Sequence, residues 1–278
     1  MDTIAEPDVA PATIEAELSY YSGDGAMPIS LVAEPGGRDR RIGAVSSETH
    51  RVTLHNGRLL AGEFQLEREG FRFMPHETRV ADFYDDAEIE RVYYPEMEAL
   101  IKRESGAKRV VVFDHTLRTE DESVREDRKI REVVRRVHND YTEMSGPKRV
   151  RDLMGDEAER LLAGRFAIIQ VWRPIRHPVE TWPLAICDAR SLDVGDLVVT
   201  ERRYQNRTGQ TYAIHYNPKQ HWYWFPRMRR DEALMFKVYE SQRDGRARWT
   251  AHTAFDDPTS PAQPRPRESI EIRTLAFF

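Results

Sequence analysis

The sequence is nearly free of cysteine: Cys187 is the only one among 278 residues. A single cysteine excludes an internal disulfide, and it excludes a metal site built from several thiolates. The neighbouring residues Ala185 and Ile186 are apolar. We therefore expect Cys187 to be a small buried residue of a strand, without a chemical role.

Long apolar runs and a basic excess are also missing. No run reaches the roughly 20 apolar residues of a membrane-spanning helix. Residues 1–7 contain no basic segment followed by an apolar one, so we expect a cytoplasmic protein without a secretory signal. The net charge is −5, whereas nucleic-acid-binding proteins usually carry a basic excess. Neither a nucleic acid nor a membrane is expected as a partner.

The composition is that of a globular protein, with 40% hydrophobic residues, 11 Tyr, 11 Phe and 5 Trp. Residues 1–40 are rich in Pro, Ala, Glu, Gly and Asp and are predicted to form a loosely packed N-terminal arm. Residues 41–278 are predicted to form a single domain. Within it, residues 41–130 form a hairpin and helix portion and residues 131–278 form the barrel core.

Turn and spacing signals predict the elements of the first half. Asn56-Gly57 is a strong hairpin signal, and strands are expected over residues 59–66 and 71–74. Apolar residues at helical spacing predict helices over residues 87–104 and 148–163, the first of them interrupted or started by Pro95.

From residue 165 onward the pattern changes to short apolar segments separated by turn residues. The predicted strands are 166–172, 182–187, 196–200, 211–216, 221–225, 233–239, 249–255 and 270–278. Short strands at this spacing favour a sandwich or barrel. The predicted fold is mainly β: a double-stranded β-helix (jelly roll) with flanking α-helices and an N-terminal hairpin extension.

Three side chains are candidate metal ligands. The sequence has nine histidines, and only His138 has an aspartate, Asp140, two positions further on. Residues i and i+2 of an extended segment point to the same side, so both side chains can reach one ion. His252, in the penultimate predicted strand, is the preferred third ligand. Two imidazoles and one carboxylate can bind one face of a ferrous ion and leave the other face open.

Other histidines compete for these roles. His221 lies in an aromatic strand and could replace His252 as the distal ligand. His215 and His177 are weaker candidates, and His115 could lie just outside the ligand set.

Arg267 and Ser269 are the candidate residues for a second ligand. A 2-oxo acid that chelates iron carries a distal carboxylate, which needs a fixed cationic partner in a dry site. An arginine offers two parallel donors to that carboxylate, and a serine adds a hydroxyl donor. Arg265 and Arg273 are neighbours that could take the place of Arg267. Fe(II) and 2-oxoglutarate are therefore the expected cofactors.

Substrate contacts are expected from side chains at the ends of the aromatic strands. The candidates are Trp172, Arg173, His221 and Tyr223. The aromatic set Trp172, Trp222, Tyr223 and Trp224 can line a pocket, although core packing is the better explanation for about half of it.

Several segments, in order, resemble one known family. They are 171–175 (VWRPI), 183–191 (PLAICDARS), 221–226 (HWYWFP), 236–241 (FKVYES), 252–255 (HTAF) and 267–271 (RESIE). They resemble the hydroxylase/desaturase family that includes cephamycin C-7 hydroxylase components and fungal gibberellin desaturase-like proteins. The likeness covers roughly residues 85–278.

The resemblance implies an iron- and 2-oxoglutarate-dependent jelly roll that tailors natural products. By that likeness His138, Asp140 and His252 carry iron, and Arg267 carries 2-oxoglutarate. His138 and His252 are further apart in sequence than is common in the wider superfamily, which leaves room for an extra hairpin near residues 196–217.

The expected function is a dioxygenase that hydroxylates or desaturates a small molecule while 2-oxoglutarate is decarboxylated to succinate. Its partners would be the substrate and molecular oxygen, and the chain could form a homodimer. The alternatives are a jelly-roll binding protein without turnover, a cupin-type metal enzyme that does not use 2-oxoglutarate, and a nucleic-acid demethylase of the same superfamily. The acidic balance of the chain disfavours the demethylase.

Overall fold

The computed structural model describes residues 10–23, 27–32, 40–42, 46–205 and 207–278. Much of the predicted arm, residues 1–9, 24–26 and 33–39, lies outside the described residues. Among the described residues, no helix combines the length and apolar character needed to cross a membrane.

Strands dominate the chain. In chain order they are β1 (Thr13–Tyr21), β2 (Ile29–Leu31), β3 (Arg40–Ile42), β4 (Ser47–Asn56), β5 (Phe71–Pro75), β6 (Arg109–Thr119), β7 (His138–Asn139), β8 (Phe166–Pro174), β9 (Leu184–Cys187), β10 (Leu197–Arg203), β11 (Thr208–Ile214), β12 (Trp222–Trp224), β13 (Glu232–Glu240), β14 (His252–Ala254) and β15 (Glu268–Phe277). The helices are α1 (Asp86–Glu88), α2 (Tyr94–Ser105), α3 (Glu122–Arg128), α4 (Ser145–Met154) and α5 (Ala158–Leu162).

The strands form two facing sheets. The ten-stranded sheet has the order β1-β4-β12-β9-β14-β7-β11-β10-β2-β3, and the five-stranded sheet has the order β5-β13-β8-β15-β6. The larger sheet curls until its first strand approaches β11, through a bridge between Tyr21 and His215. This mostly antiparallel, curled pair of sheets is the predicted jelly roll. Strands β10 and β11 form the extra hairpin that was predicted near residues 196–217.

Three apolar clusters hold these layers together. One lies between the two sheets and includes Phe166, Trp172 and Phe236. A second packs helix α2 against the other face of the smaller sheet and includes Met97 and Ile169. The third lies on the far side of the larger sheet, inside its curl, and includes three tryptophans: Trp222, Trp224 and Trp249. Strand β8 is buried on both faces, which explains its nearly continuous apolar sequence.

The N-terminal segment is more tightly packed than its composition predicts. Strand β1 pairs with β4 over its whole length, from Thr13 opposite His55 to Tyr21 opposite Ser47. Alternate side chains of β1 are buried, including Leu18 at 1% exposure. This part of the predicted arm is therefore an edge of the larger sheet and not a loose extension.

The predicted hairpin at Asn56-Gly57 is wrong. Asn56 ends β4, and its side chain accepts a hydrogen bond from the Arg58 backbone N–H (3.0 Å), which caps a short 3-10 helix over Gly57–Leu60. No strand follows over residues 59–66. Asparagine favours such local caps as readily as hairpin turns, and β4 pairs instead with β1 and, in parallel, with β12.

The first predicted helix is confirmed over residues 86–105, with a π-helical turn at Ile89–Tyr93 between α1 and α2. Pro95 is the second residue of α2 and directly follows the π-helical turn, so its missing N–H falls where the helix changes from π-helical to α-helical hydrogen bonding. Gly106 ends the helix in the left-handed region, at φ 76°.

A buried ion network joins the ends of β8 and β13. Lys237 and Glu240 are 1% and 0% exposed, and their charged atoms are 3.2 Å apart. Arg165 pairs with the same Glu240 oxygen at 2.9 Å. Glu67 pairs with Lys237 at 3.0 Å.

We expect Glu240→Ala to lower the free energy of unfolding by about 3 kcal/mol, because it removes the fully buried anion of the network and leaves Lys237 and Arg165 with only the partly exposed Glu67. Urea denaturation of the purified variant measures this loss. The matched control is Asp152→Ala, which removes an exposed pair with Lys148 and should cost only about 0.3–0.5 kcal/mol. Equal losses in the two variants would contradict a stabilising role for the network.

Candidate active site

Strand pairing brings the predicted metal ligands together. In the larger sheet, His138 of β7 is the direct partner of His252 of β14, and their ring centroids lie 4.4 Å apart. Direct partners in an antiparallel pair point to the same side. Asp140 follows β7, and its carboxylate joins the two rings on that side. Each of the three residues offers a ligand atom, and these atoms all lie within 4.8 Å of one another.

Asn139, which lies between His138 and Asp140, holds this segment in place. Asn139 is fully buried, and its amide donates to the backbone carbonyls of Tyr141 (2.8 Å) and Val238 (2.9 Å). Its side-chain oxygen accepts from the Thr250 backbone N–H at 3.2 Å. Asn139 thereby ties the segment that carries His138 and Asp140 both to β13 and to the approach to His252.

Backbone carbonyls set the tautomer of both histidines. Nδ1 of His138 lies 2.7 Å from the Arg136 carbonyl oxygen, and Nδ1 of His252 lies 3.0 Å from that of Thr250. A carbonyl can only accept, so each Nδ1 carries the hydrogen. Each Nε2 is then unprotonated, and its lone pair is available to a metal ion. This is the usual arrangement of metal-binding histidines.

The Asp140 carboxylate is ionised. Burial raises the pKa of Asp140, but the Arg273 guanidinium, whose Nε donates to Oδ2, holds it well below its ordinary value. Burial lowers the pKa of His252 to about 3. A neutral imidazole beside a carboxylate anion is the protonation state that binding of a divalent cation requires.

Arg267 is a buried cation with no carboxylate within salt-bridge distance among the described residues. Its side chain is 3% exposed, its Nη1 donates to the backbone oxygen of Trp182, and its Nε has no hydrogen-bond partner in the same part of the chain. The guanidinium lies 5.3 Å from the centroid of the Trp172 ring. Burial, followed by repulsion from Arg118, lowers the pKa of Arg267 to about 9. Burying a charge is costly unless an opposite charge accompanies it, so the site is suited to an anion.

The hydroxyl of Ser269 is a second buried hydrogen-bond donor in this region. The residue is 1% exposed, and its hydroxyl has no hydrogen-bond partner among the described residues. Ser269 is the second residue of β15 and Arg267 directly precedes that strand, so the two side chains, two positions apart, are expected on the same side of the chain. Arg267 and Ser269 thus offer hydrogen-bond donors that a carboxylate could accept from.

One pocket connects the three potential metal ligands with Arg267, whereas Ser269 is not among its lining residues. Its lining includes His138, Asp140, His252, Arg267 and Trp172. Arg118 and Glu271 complete its charged lining, and Leu184 is among its apolar residues. A second, apolar pocket shares Trp172 and Leu184 with the first. A metal ion and an anionic co-ligand can therefore occupy one continuous space.

The other candidate residues for substrate contact lie elsewhere. Arg173 points to the opposite face of the smaller sheet, where it donates to the backbone oxygens of His76 and Arg230. Tyr223 is buried against Phe64, with ring centroids 5.0 Å apart. Neither lines the pocket, whereas the predicted Trp172 does.

The competing histidines are also accounted for. His221 is exposed and stacks on His55 at 4.7 Å. His115 hydrogen-bonds to Tyr94 of helix α2, His177 is exposed, and His215 packs on Tyr21. None of them joins the group of three.

The competing arginines already have acidic partners. Arg265 is exposed and pairs with Glu180. Arg273 pairs with Asp140, Asp114 and Glu271. Of the three candidates, Arg267 alone forms no ion pair with a carboxylate of the described residues.

Sequence reasoning missed Gln170 and Arg118. Gln170 is the only polar residue in the apolar run of β8 before Arg173, and that isolated amide was a usable signal. Nothing in the sequence around Arg118 marks it as a pocket residue. It reaches the pocket because β6 pairs with β15, which places Arg118 opposite Ser269, 151 residues further along (269 − 118).

A jelly roll with two histidines, one carboxylate and a nearby buried arginine defines the class of non-haem Fe(II) oxygenases that use a 2-oxo acid. A family model described as "Oxidoreductase/YMDC permease-like domain" matches residues 18–277. The Fe(II)/2-oxoglutarate-dependent dioxygenase nvfI of Aspergillus novofumigatus is 35% identical over 235 residues, covering 82% of this chain and 83% of nvfI. The chain belongs to the hydroxylase/desaturase family of Fe(II)/2-oxoglutarate-dependent dioxygenases.

Further comparisons agree. The hydroxylase/desaturase efuI of Hormonema carpetanum is 32% identical, over 96% of this chain and 95% of efuI. The solved structure of the iron and alpha-ketoglutarate-dependent endoperoxidase NvfI superposes with a TM-score of 0.84 at 30% identity, covering 96% of this chain and 98% of NvfI. The predicted family, jelly-roll fold, oxidoreductase class and cofactors, Fe(II) and 2-oxoglutarate, are thus confirmed.

Proposed function

We propose that His138, Asp140 and His252 bind the Fe(II) ion and that Arg267 and Ser269 bind the distal carboxylate of 2-oxoglutarate. One observation carries the proposal. Three potential ligand atoms within 4.8 Å of one another share a pocket with a buried arginine that lacks a carboxylate partner. The two Nε2 atoms and Asp140 supply the donor set of a ferrous site, and Arg267 supplies the cationic fork.

The chain's own residues prepare the site for these ligands. When bound, Fe(II) and 2-oxoglutarate supply the oxidising chemistry, in which dioxygen is consumed and 2-oxoglutarate is decarboxylated to succinate. The carbonyls of Arg136 and Thr250 hold the imidazoles in the tautomer that leaves Nε2 free. Trp172, Leu184 and Ala254 give the pocket apolar walls that exclude water.

The proposed reaction is hydroxylation or desaturation of a small-molecule natural product. The relatives named hydroxylase/desaturase support it, and the endoperoxidase NvfI adds peroxide formation as a further outcome to be screened. The proposal includes a cytoplasmic location, a homodimeric assembly, and no nucleic-acid or membrane partner. The net charge of −5 supports the absence of nucleic acid.

Anaerobic titration with Fe(II) and 2-oxoglutarate tests the proposal. The expected result is one Fe(II) per chain and a charge-transfer absorption that appears only when both are present. Screening of metabolites for substrate-stimulated succinate would then identify the substrate. A chain that binds Fe(II) but never 2-oxoglutarate would favour the cupin-type alternative, and one that binds neither would favour a binding protein.

Ser269→Ala should weaken 2-oxoglutarate binding roughly tenfold to a hundredfold, because a hydrogen bond to a charged group contributes about 1.5–3 kcal/mol. The charge-transfer absorption, titrated with 2-oxoglutarate, measures the change. Ser241→Ala is the matched control, since its hydroxyl accepts only from the Phe166 backbone N–H, at the far end of β8. Unchanged affinity in Ser269→Ala would remove Ser269 from the proposed site.

A further inference from the structure

The two oxygens of Asp140 have different surroundings. Oδ2 accepts a hydrogen bond from Nε2 of Gln170 (2.7 Å) and a second from Nε of Arg273 (3.3 Å). Oδ1 lies 3.4 Å from Nε2 of His138. One oxygen is therefore held by the smaller sheet, and the other faces the potential metal ligands of the larger sheet.

The two donors form a rigid pair. Gln170 of β8 and Arg273 of β15 are direct strand partners, so their side chains leave the smaller sheet side by side. Arg273 also donates to Thr116 (2.7 Å), Asp114 (3.2 Å) and Glu271, which fixes its guanidinium in place. Gln170 is fully buried.

The orientation of the Gln170 amide points to its role. Its Nε2 faces Asp140, and its Oε1 is buried without a hydrogen-bond partner in the part of the chain that the structure describes. An orphaned buried acceptor costs stability. The flipped amide would place Oε1 against the Asp140 carboxylate, where two acceptors repel. The contact with Asp140 therefore decides the orientation of this side chain.

We propose that Gln170 and Arg273 are positioning residues that reserve Oδ2 of Asp140 and present only Oδ1 to the metal ion. The inference rests on the proposed function, in which Asp140 is a metal ligand. A free carboxylate can bind a cation through one oxygen or through both. Binding through one oxygen saves a coordination position, and this class of enzyme needs its open positions for the 2-oxo acid and dioxygen.

Gln170→Met tests the pair, because methionine keeps the length and bulk of the side chain and removes the amide donor. We expect Gln170→Met to weaken Fe(II) binding about tenfold to a hundredfold, the usual loss when a residue that orients a metal ligand is removed. Fe(II) alone is titrated anaerobically into the metal-free full chain. Co(II) is then substituted, since its visible absorption changes when its coordination number changes.

The chain offers a closely matched control. Gln220 is also buried, its Nε2 donates to Asp196 (3.1 Å), and its Oε1 is likewise without a partner. That contact lies away from the pocket. Gln220→Met should leave the Fe(II) affinity and the Co(II) absorption unchanged, even if it lowers stability as much as Gln170→Met does.

The outcomes separate this inference from the proposed function. Unchanged Fe(II) affinity and Co(II) absorption in Gln170→Met would overturn the inference while the metal site stood. Full Fe(II) affinity in Asp140→Ala would instead overturn the metal assignment. Should Gln170→Met fail to fold, Arg273→Lys keeps the charge but loses the Nε contact. A smaller loss of Fe(II) affinity is then expected, and none would contradict the pairing.

Discussion

His252→Ala is expected to abolish Fe(II) binding and with it all succinate formation. Its imidazole is one of only three ligands proposed from the protein, and no other histidine lies within reach to replace it. The same loss is expected for His138→Ala and for Asp140→Ala. Anaerobic Fe(II) titration measures binding directly, and succinate release measures turnover.

Thermal unfolding gives a second measurement that does not depend on activity. Fe(II) at a hundred times its Kd should stabilise the folded wild-type protein by about 2.7 kcal/mol, because it binds only the folded state. The metal-dependent rise in Tm should vanish in His252→Ala. The matched control is His221→Ala, which removes an exposed imidazole stacked on His55 and should keep the full rise. The opposite outcome would make His221 the distal ligand.

The proposed metal ligands could be selected from the sequence because the pattern that marks them is local. His138 and Asp140 are two positions apart, and a near-extended backbone suffices to place both on one side. Placing His252 beside them also requires knowledge of the strand order, since His252 meets His138 only through the pairing of β14 with β7. Choosing it over His221 depended on assigning the later strands correctly.

The residues around the ligands could not be found in this way. Gln170 and Arg273 come from the opposite sheet. The amide of Gln170 is conspicuous in an apolar run, but the local sequence does not indicate that either residue meets Asp140. Arg273 could be seen only as a possible anchor for 2-oxoglutarate. Its acidic partners, which exclude that role, are contributed by β6, β15 and the segment after β7.

The fold was predictable where burial shapes the sequence. Strands β8, β13 and β15 carry long apolar runs because they form the middle of the smaller sheet, and each was predicted within a few residues. The prediction of a hairpin around Asn56 was wrong because an Asn-Gly pair is compatible with both a hairpin and a helix cap. Only the long-range pairing of β4 with β1 and β12 decides between them.

Arg267→Ala should weaken 2-oxoglutarate binding at least a hundredfold while leaving Fe(II) binding nearly unchanged. Removing one partner of a buried charge pair costs about 3–5 kcal/mol, because the other charge stays buried and unpaired. That energy corresponds to roughly a hundredfold or greater rise in Kd. The charge-transfer absorption of the Fe(II) and 2-oxoglutarate complex, titrated with 2-oxoglutarate, measures it.

Arg267→Lys separates charge from geometry. Lysine restores the positive charge but cannot form two parallel hydrogen bonds to one carboxylate, so only part of the affinity should return. Arg265→Ala is the matched control: it removes a neighbouring arginine that is exposed and paired with Glu180, so 2-oxoglutarate should bind as in the wild type. Wild-type affinity in Arg267→Ala would place the anchor elsewhere, and Arg118, the other arginine lining the pocket, would be the next residue to replace. If Arg118→Ala also bound normally, the buried positive charge of this pocket would have to serve the substrate instead of the cosubstrate.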